Sequence, residues 1–419
     1  MLPDVSVDFF RVQSICLAAI GIPRNETRPG RALFGFSFFT VLFMKLGTVL
    51  FAVSHIDEIM LLCDCLGPTF TAYLGLVRQY NLRRHRSELW AIVDEFSVLK
   101  GSLAPAEVRI VQRYNRFDRF LAWAYLISAM STGVLFVCAA LVRVAISERS
   151  DWKLPLLMAF PFDATHPVTF TVLFVWCSIA IFWVVLDCVA CDATFGTFSS
   201  CLVAHFVIIQ RRFERIRFDQ APHAPLGALI EYHKHILNIA DRVIDAYRNV
   251  ILNQLLISSV LLCMLGFQLV LSAGSSLVVV YVAYGTAIVI QVTYYCYYGS
   301  QLYHEVTHGT DHYRVVTFLV LLPTAPVIIF SWPPASFFIA HTHNKKKPTP
   351  KSTQVHDAVF QSNWYEADVR TQKLLINCMM RARKAVNAKS GFAQASLPAL
   401  RAILNSAGSY VALLMSLME

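Results

Sequence analysis

Residues 168–210 read VTFTVLFVWCSIAIFWVVLDCVACDATFGTFSSCLVAHFVIIQ, 43 positions of continuous helical composition. As one helix this run is roughly 65 Å long, about twice a hydrocarbon core of roughly 30 Å. It is therefore expected to cross a membrane and continue beyond it. Arg211, Arg212, Arg215 and Arg217 follow at its end, and cations collect on the cytoplasmic side of a span, so the extension points into the cytoplasm. Asp187 and Asp192 lie in the middle of the run. Five residues apart they do not share a helix face well, so each calls for a buried partner of its own rather than a common metal ion.

The rest of the 419-residue chain agrees with a membrane reading. Hydrophobic residues make up 56% and charged residues only 15%, which is too little charge for soluble domains of this size. The net charge of +9 is spread between apolar spans instead of forming one basic patch with interleaved aromatics. It marks topology and not a nucleic-acid partner. No cationic region precedes the short apolar run at 15–22, so no cleavable signal is expected. The eleven cysteines show no zinc spacing in loops, and Cys188 with Cys191 falls inside an apolar span, where thiols are packing residues. We expect no cofactor, no metal and no enzyme activity, because no acid, base and nucleophile converge in loops.

Residues 1–32 read as a cytoplasmic N-terminal segment, with loop prolines at 23 and 29 and a chance glycosylation sequon at Asn25. The first span is expected at about 33–53, with Lys45 turned to the bundle or snorkelling, and the second at about 59–80. Arg78, Arg83, Arg84 and Arg86 close the second span, and Arg113, Arg116 and Arg119 lead into a third at about 120–146. Both flanks of that loop are basic, as a cytoplasmic loop requires. A polar helix at 231–248 runs into a fifth span near 250–271. A sixth, near 277–300, carries Tyr281, Tyr284, Tyr294, Tyr295, Tyr297 and Tyr298, a set that suggests a membrane interface or a cavity lining. Residues 352–390 read as a polar cytoplasmic helix. Residues 391–419 form the last span, where Ser406, Ser409, Leu413 and Ser416 recur at steps of three and four and so share one face. The expected fold is thus an all-α polytopic membrane protein with seven transmembrane helices in residues 33–305 and 391–419. Its N-terminus is cytoplasmic, its C-terminus is extracellular, and its long fourth to seventh helices extend into a cytoplasmic anchor region.

Six stretches carry a more specific resemblance: FFRVQSICLAAIGIP from Phe9, LPLLMAFPFDA from Leu154, CMLGFQLV from Cys263, YCYYGSQLYHE from Tyr295, DAVFQSNWYEAD from Asp357 and LNSAGSYVALLMSL from Leu404. Together the chain resembles the insect odorant receptor family over nearly its whole length. The resemblance implies a tuning subunit that binds small volatile molecules and gates a non-selective cation channel in a heterotetramer with the family's co-receptor. It places the protein in the plasma membrane, among lipid, in the sensory dendrite of olfactory neurons. By the same resemblance the last helix lines the pore, with Ser406 and Ser409 as hydroxyl ligands, Leu413 and Leu417 as the constriction and Ser416 beside it. An apolar ring gates by dewetting, and hydroxyls offer a passing cation partial hydration. The ligand pocket, between the second, third, fourth and sixth helices, is expected to hold Phe70, Tyr73, Thr132, Phe136, Phe170, Phe174, Tyr281 and Tyr284. Such a pocket binds mostly by burial, with few hydrogen bonds.

Two rivals with membrane spans are weaker. A seven-transmembrane G-protein-coupled receptor would have the opposite orientation, and Asp118-Arg119-Phe120 stands at the start of the third span, not its end. A transporter should show paired repeats and broken helices at mid-membrane, which the sequence lacks.

Residues 306–351 depart from the family pattern, which would run from YHE at 303–305 directly to STQVHDAVF at 352–360. The insertion contains prolines at 323, 326, 333 and 334 and a run of lysines at 345–347. It reads as a retained intron: valine codons begin GT, one lysine codon ends AG, and 46 whole codons keep the frame. A lineage-specific loop is the alternative. Prolines in this number disfavour an extra span. On the intron reading the chain is a non-functional splice isoform of an odorant receptor. The four histidines of the insertion have no metal-ligand spacing.

Overall fold

The computed structural model describes residues 8–148, 152–164, 166–216, 223–272, 278–303, 351–383, 386, 388–390 and 393–418. The insertion at 306–351, apart from Lys351, and its four histidines lie outside these residues. What is described is a bundle of helices. They are α1 (Arg11–Ala19), α2 (Arg28–Ser54), α3 (Ile59–Arg84), α4 (Arg86–Gly101), α5 (Pro105–Ile146), α6 (Pro167–Arg215), α7 (His223–Leu271), α8 (Val278–Tyr303), α9 (Lys351–Gln361), α10 (Val369–Ala382) and α11 (Leu397–Met418). The single extended element among the described residues is a two-residue antiparallel ladder, β1 (Lys389–Ser390) with β2 (Ala393–Gln394), just ahead of α11.

Five of these helices, α2, α5, α6, α7 and α8, are long and apolar enough to cross a membrane. The other two expected spans correspond to α3 and α11, which have 26 and 22 residues. The run at 168–210 is one helix, α6, of 49 residues, and α7 has the same length, so both exceed a bilayer by more than 30 Å at 1.5 Å per residue. The third helix is longer than expected: α5 begins at Pro105, not near Phe120, and is 42 residues long. Proline suits the first turn, where its missing N–H would have had no partner, and the Glu107 side chain accepts the Ala104 N–H at 3.1 Å. The first span likewise starts early, at Arg28, because Thr27 caps the helix by accepting the Gly30 N–H at 3.2 Å.

Three further differences have local causes. The N-terminal segment is a structural wedge: Phe10 stacks on Phe198 of α6 at 5.8 Å, and Gln13 donates to the Thr197 hydroxyl at 2.6 Å. The turn after α1 needs Gly21, whose φ is +80° and whose missing Cβ would meet the Phe34 backbone nitrogen at 2.3 Å. The loop between the second and third spans contains α4. Its Glu88 and Glu95 hold Arg242 of α7 at 3.3 and 2.7 Å. The stretch 352–390 is two helices and not one. The chain breaks after Gln361, passes through a short turn of 3₁₀ helix at Trp364–Glu366, and restarts where Asp368 accepts the Arg370 and Thr371 N–H groups.

The centre of the bundle is held by carboxylates. Asp192 of α6 is fully buried and accepts from Arg78 Nε of α3 at 3.0 Å, Tyr125 of α5 at 2.8 Å, and Gln291 and Tyr295 of α8 at 3.1 and 2.6 Å. Arg78 also donates to Gln254 of α7, so five helices meet at one ion pair. Asp187 takes both of its contacts from Gln79 at 2.8 Å, and Asp118 accepts from Tyr298 and, at 2.6 Å, from Thr197. The two α6 aspartates thus have separate buried partners, as their spacing requires. Asp192 has a cationic partner in Arg78, whereas Asp187 and Asp118 are met by neutral donors; a charge in a low-dielectric interior persists only when paired and hydrogen-bonded.

Candidate functional site

The residues nominated for a ligand pocket fall into two groups. In the first, Tyr284 of α8 stands edge-on to Phe136 of α5, ring centroids 5.6 Å apart, and its hydroxyl meets Thr71 and donates to the Gly67 carbonyl at 3.0 Å. One turn away, Tyr281 donates to Asp64 at 2.6 Å, and Gln268 of α7 donates to the same oxygen at 2.7 Å. Phe70 packs half-buried against the same core. The second group is Phe170 and Phe174 of α6, buried with Ala140 and Trp152, the Phe170 and Trp152 centroids 5.2 Å apart. The hydroxyls of Tyr73 and Thr132 are engaged elsewhere. Tyr73 donates to Asn253 at 3.0 Å with the Lys45 ammonium 4.9 Å from its ring, and Thr132 bonds within its own helix to Ser128. Lys45 is therefore turned to the bundle, where a tyrosine face receives it.

Sequence reasoning missed Asp64, Gly67, Thr71 and Gln268, which complete the first group. An acid such as Asp64 inside an apolar span was the available signal. It also misread the tyrosines near the end of α8. Tyr295 and Tyr298 are buried donors to Asp192 and Asp118. A separate open groove of about 460 Å³ lies between α2 and α6, lined by Phe39, Leu42, Phe43, Leu46, Val172, Leu173 and Trp176, and contains none of the nominated residues.

The last helix has two faces. Leu400, Ile403, Leu404 and Ala407 pack on the core, and Val411 sits so close to α7 that a Cβ on Gly266 would be 2.1 Å from it. Ser406, Ser409, Leu413 and Ser416 are on the exposed side, Leu413 at 56%. The Leu417 side chain lies outside the described residues. The start of α11 is seated on the end of α8: a Cβ on Gly299 would be 2.2 Å from the Ala395 carbonyl oxygen, and the Leu397 N–H donates to Ser300 Oγ at 2.8 Å.

Outside the apolar spans, the Arg212 guanidinium holds Glu107 in a two-point contact, both distances 2.7 Å, and keeps its carboxyl below the usual range. Burial pushes His233, on the polar part of α7, down to about 4, with Arg381 adding to the effect. No group of three metal-ligating side chains occurs among the described residues.

Residues 58–308 and 349–408 match the model of the 7tm Odorant receptor family. The chain belongs to that family. Among curated proteins, Odorant receptor 82a of Drosophila melanogaster is 22% identical, with 97% of this chain and 99% of the relative aligned. Odorant receptor 47a of the same fly is 24% identical at the same coverage. The fold matches that of the olfactory receptor OR5 from Machilis hrabei in complex with eugenol at a TM-score of 0.75, with 12% identity and 98% and 97% of the two chains covered. The structure of the same receptor, described without eugenol, gives 0.73. This odorant receptor is thus a multi-pass membrane protein of a receptor family and not an enzyme. The family match omits residues 309–348, which fall within the insertion.

Proposed function

We propose that this receptor is a tuning subunit that binds a small volatile molecule and, with a co-receptor in a heterotetramer, opens a non-selective cation pore at the dendritic plasma membrane of olfactory neurons. The observation that carries the reading is the exposed stripe of Ser406, Ser409, Leu413 and Ser416 on α11. In a bundle otherwise built to bury its polar groups, a row of hydroxyls flanking a leucine, left without an intrachain partner face, suits the wall of a shared pore. Exposed Phe360, Tyr365, Val369, Ile376 and Met380 on and between α9 and α10 offer apolar surface for neighbouring subunits. The basic ends of α3 and α6 support a cytoplasmic N-terminus and hence, after seven crossings, an extracellular C-terminus.

The ligand reading centres on Phe136 and Tyr284, whose rings meet, with Tyr281 one turn along α8, and it takes Phe70, Phe170 and Phe174 as further walls. Apolar burial supplies most of the affinity at about 25 cal/mol per Å². Binding opens the pore only by favouring the open arrangement over the closed one. The tyrosine hydroxyls and Asp64 suit a mostly apolar ligand with a single hydrogen-bond donor, a class that includes eugenol, the molecule in complex with the Machilis receptor.

A second reading rests on the interrupted family match: with residues 306–351 the chain is an isoform whose coupling is impaired. Co-expression with a co-receptor, with and without residues 306–351, while recording odour-evoked cation current, tests both. Current from both forms supports the first reading, and current only from the shortened form supports the second. Silence from both across a broad odour panel points to a role other than a channel.

A further inference from the structure

Helix α8 links the candidate pocket to the last helix, and its final turns are unusually constrained. Tyr295 and Tyr298, three residues apart and so on one side of the helix, donate to Asp192 of α6 and Asp118 of α5. These acids are held by Arg78 of α3 and Thr197 of α6. The rotation of this end of α8 is thereby fixed against three other helices. The next two residues make the contact with α11. Gly299 admits the Ala395 backbone, and Ser300, 2% exposed, receives the Leu397 N–H. The first N–H groups of a helix have no partner within it, and here one of them is satisfied across the fold, by a side chain of α8.

We propose that Tyr295 and Ser300 are positioning residues for gating: Tyr295 sets the rotation of the end of α8, and Ser300 transmits that setting to the first turn of α11. Neither residue is among the nominated pocket or pore positions. The inference rests on the reading that α11 lines the pore. Movement begun at Tyr281 and Tyr284 reaches the pore helix through the Ser300 contact. Its loss leaves α11 less firmly tied to ligand occupancy in either direction.

The test is whole-cell recording of the full chain co-expressed with its co-receptor, comparing Ser300→Ala, Ser300→Thr and Tyr295→Phe at matched surface levels. A buried hydrogen bond of ordinary net strength corresponds to about a fivefold change in an equilibrium. Ser300→Ala is expected to raise resting current relative to maximal evoked current about fivefold, by one common factor for every active odorant, and Ser300→Thr to restore the ratio. A wild-type ratio in both Ser300→Ala and Tyr295→Phe overturns the proposal, as does a change confined to some odorants, which would place the residues in ligand recognition. If Ser300→Ala does not reach the surface, Tyr295→Phe, which removes one donor among several on Asp192, decides by the same ratio. Thiol modification of Ser409→Cys, measured against the unsubstituted receptor, separates the two levels of the argument. Block at Ser409→Cys with a wild-type ratio in the positioning variants sinks this proposal alone, whereas no block at Ser409→Cys sinks the pore reading and this inference with it.

Discussion

Arg78 of α3 donates through Nε to Asp192 of α6 at 3.0 Å, with both side chains no more than 1% exposed. This pair organises the middle of the receptor, because α5, α7 and α8 reach it through Tyr125, Gln254 and Tyr295.

Removing only the cation strands a buried carboxylate, at a cost of about 3–5 kcal/mol. Arg78→Met should therefore lower the unfolding temperature of the solubilised receptor strongly. Arg78→Met combined with Asp192→Asn keeps one acceptor oxygen, enough for one of the two tyrosines, but removes the charge, so the double variant should be more stable than Arg78→Met alone. A double variant less stable than either single one would mean that the charge itself is not what Arg78 compensates.

The long apolar helices, the overlong α6 and the exposed stripe of α11 were legible in the sequence because hydrophobicity and helical period report directly on burial and face. The α6 aspartates were legible as buried groups needing partners, since a charge in a span has few alternatives. Their partners were not, because periodicity says which way a side chain points but not what it meets. For that reason Tyr295 and Tyr298 read as interface or cavity residues and proved to be hydrogen-bond donors to acids on other helices. Helix α4 was hidden in a loop read only for its charge. The break between α9 and α10 depends on the Asp368 cap, a local choice that a helical pattern across 352–390 obscured. Nomination by helix number put Phe136 and Tyr284, whose rings meet, in one set, but also included Tyr73, whose hydroxyl goes to α7.

Acid should weaken the contact between α7 and α10. His233 is 1% exposed, its Nδ1 lies 3.5 Å from Cys378 Sγ of α10, and its folded pKa is pushed down to about 4 from an ordinary value near 6.5. The unfolded chain then binds the proton that the folded one excludes. Stability from this group is complete above pH 6.5 and is lost as pH falls towards 4. Between pH 7.5 and pH 5 the loss is about 2 kcal/mol. Thermal unfolding of the wild type and His233→Gln at the two pH values checks this: the substitution should reduce the acid sensitivity, and equal sensitivity in both proteins would rule out His233 as its source.

The first pocket group predicts distinct effects for its two tyrosines. Tyr281→Phe leaves the ring but removes a donor to Asp64, so odorants able to donate a hydrogen bond should gain potency relative to those that cannot. Tyr284→Ala removes the ring that meets Phe136, and a lost aromatic contact of this size should cost roughly tenfold or more in half-maximal concentration. Dose–response curves for a matched alcohol and ether measure both, and unchanged curves for both variants would remove these residues from the pocket.

The central claim is that α11 lines a pore closed by leucine, and the resting current of Leu413→Ser in cells that also express the co-receptor tests it most directly. A hydroxyl in place of an apolar gate residue should wet the constriction, so the resting cation current should rise well above that of the wild type at equal surface expression. A resting current equal to that of the wild type would contradict the assignment of α11 as the gate.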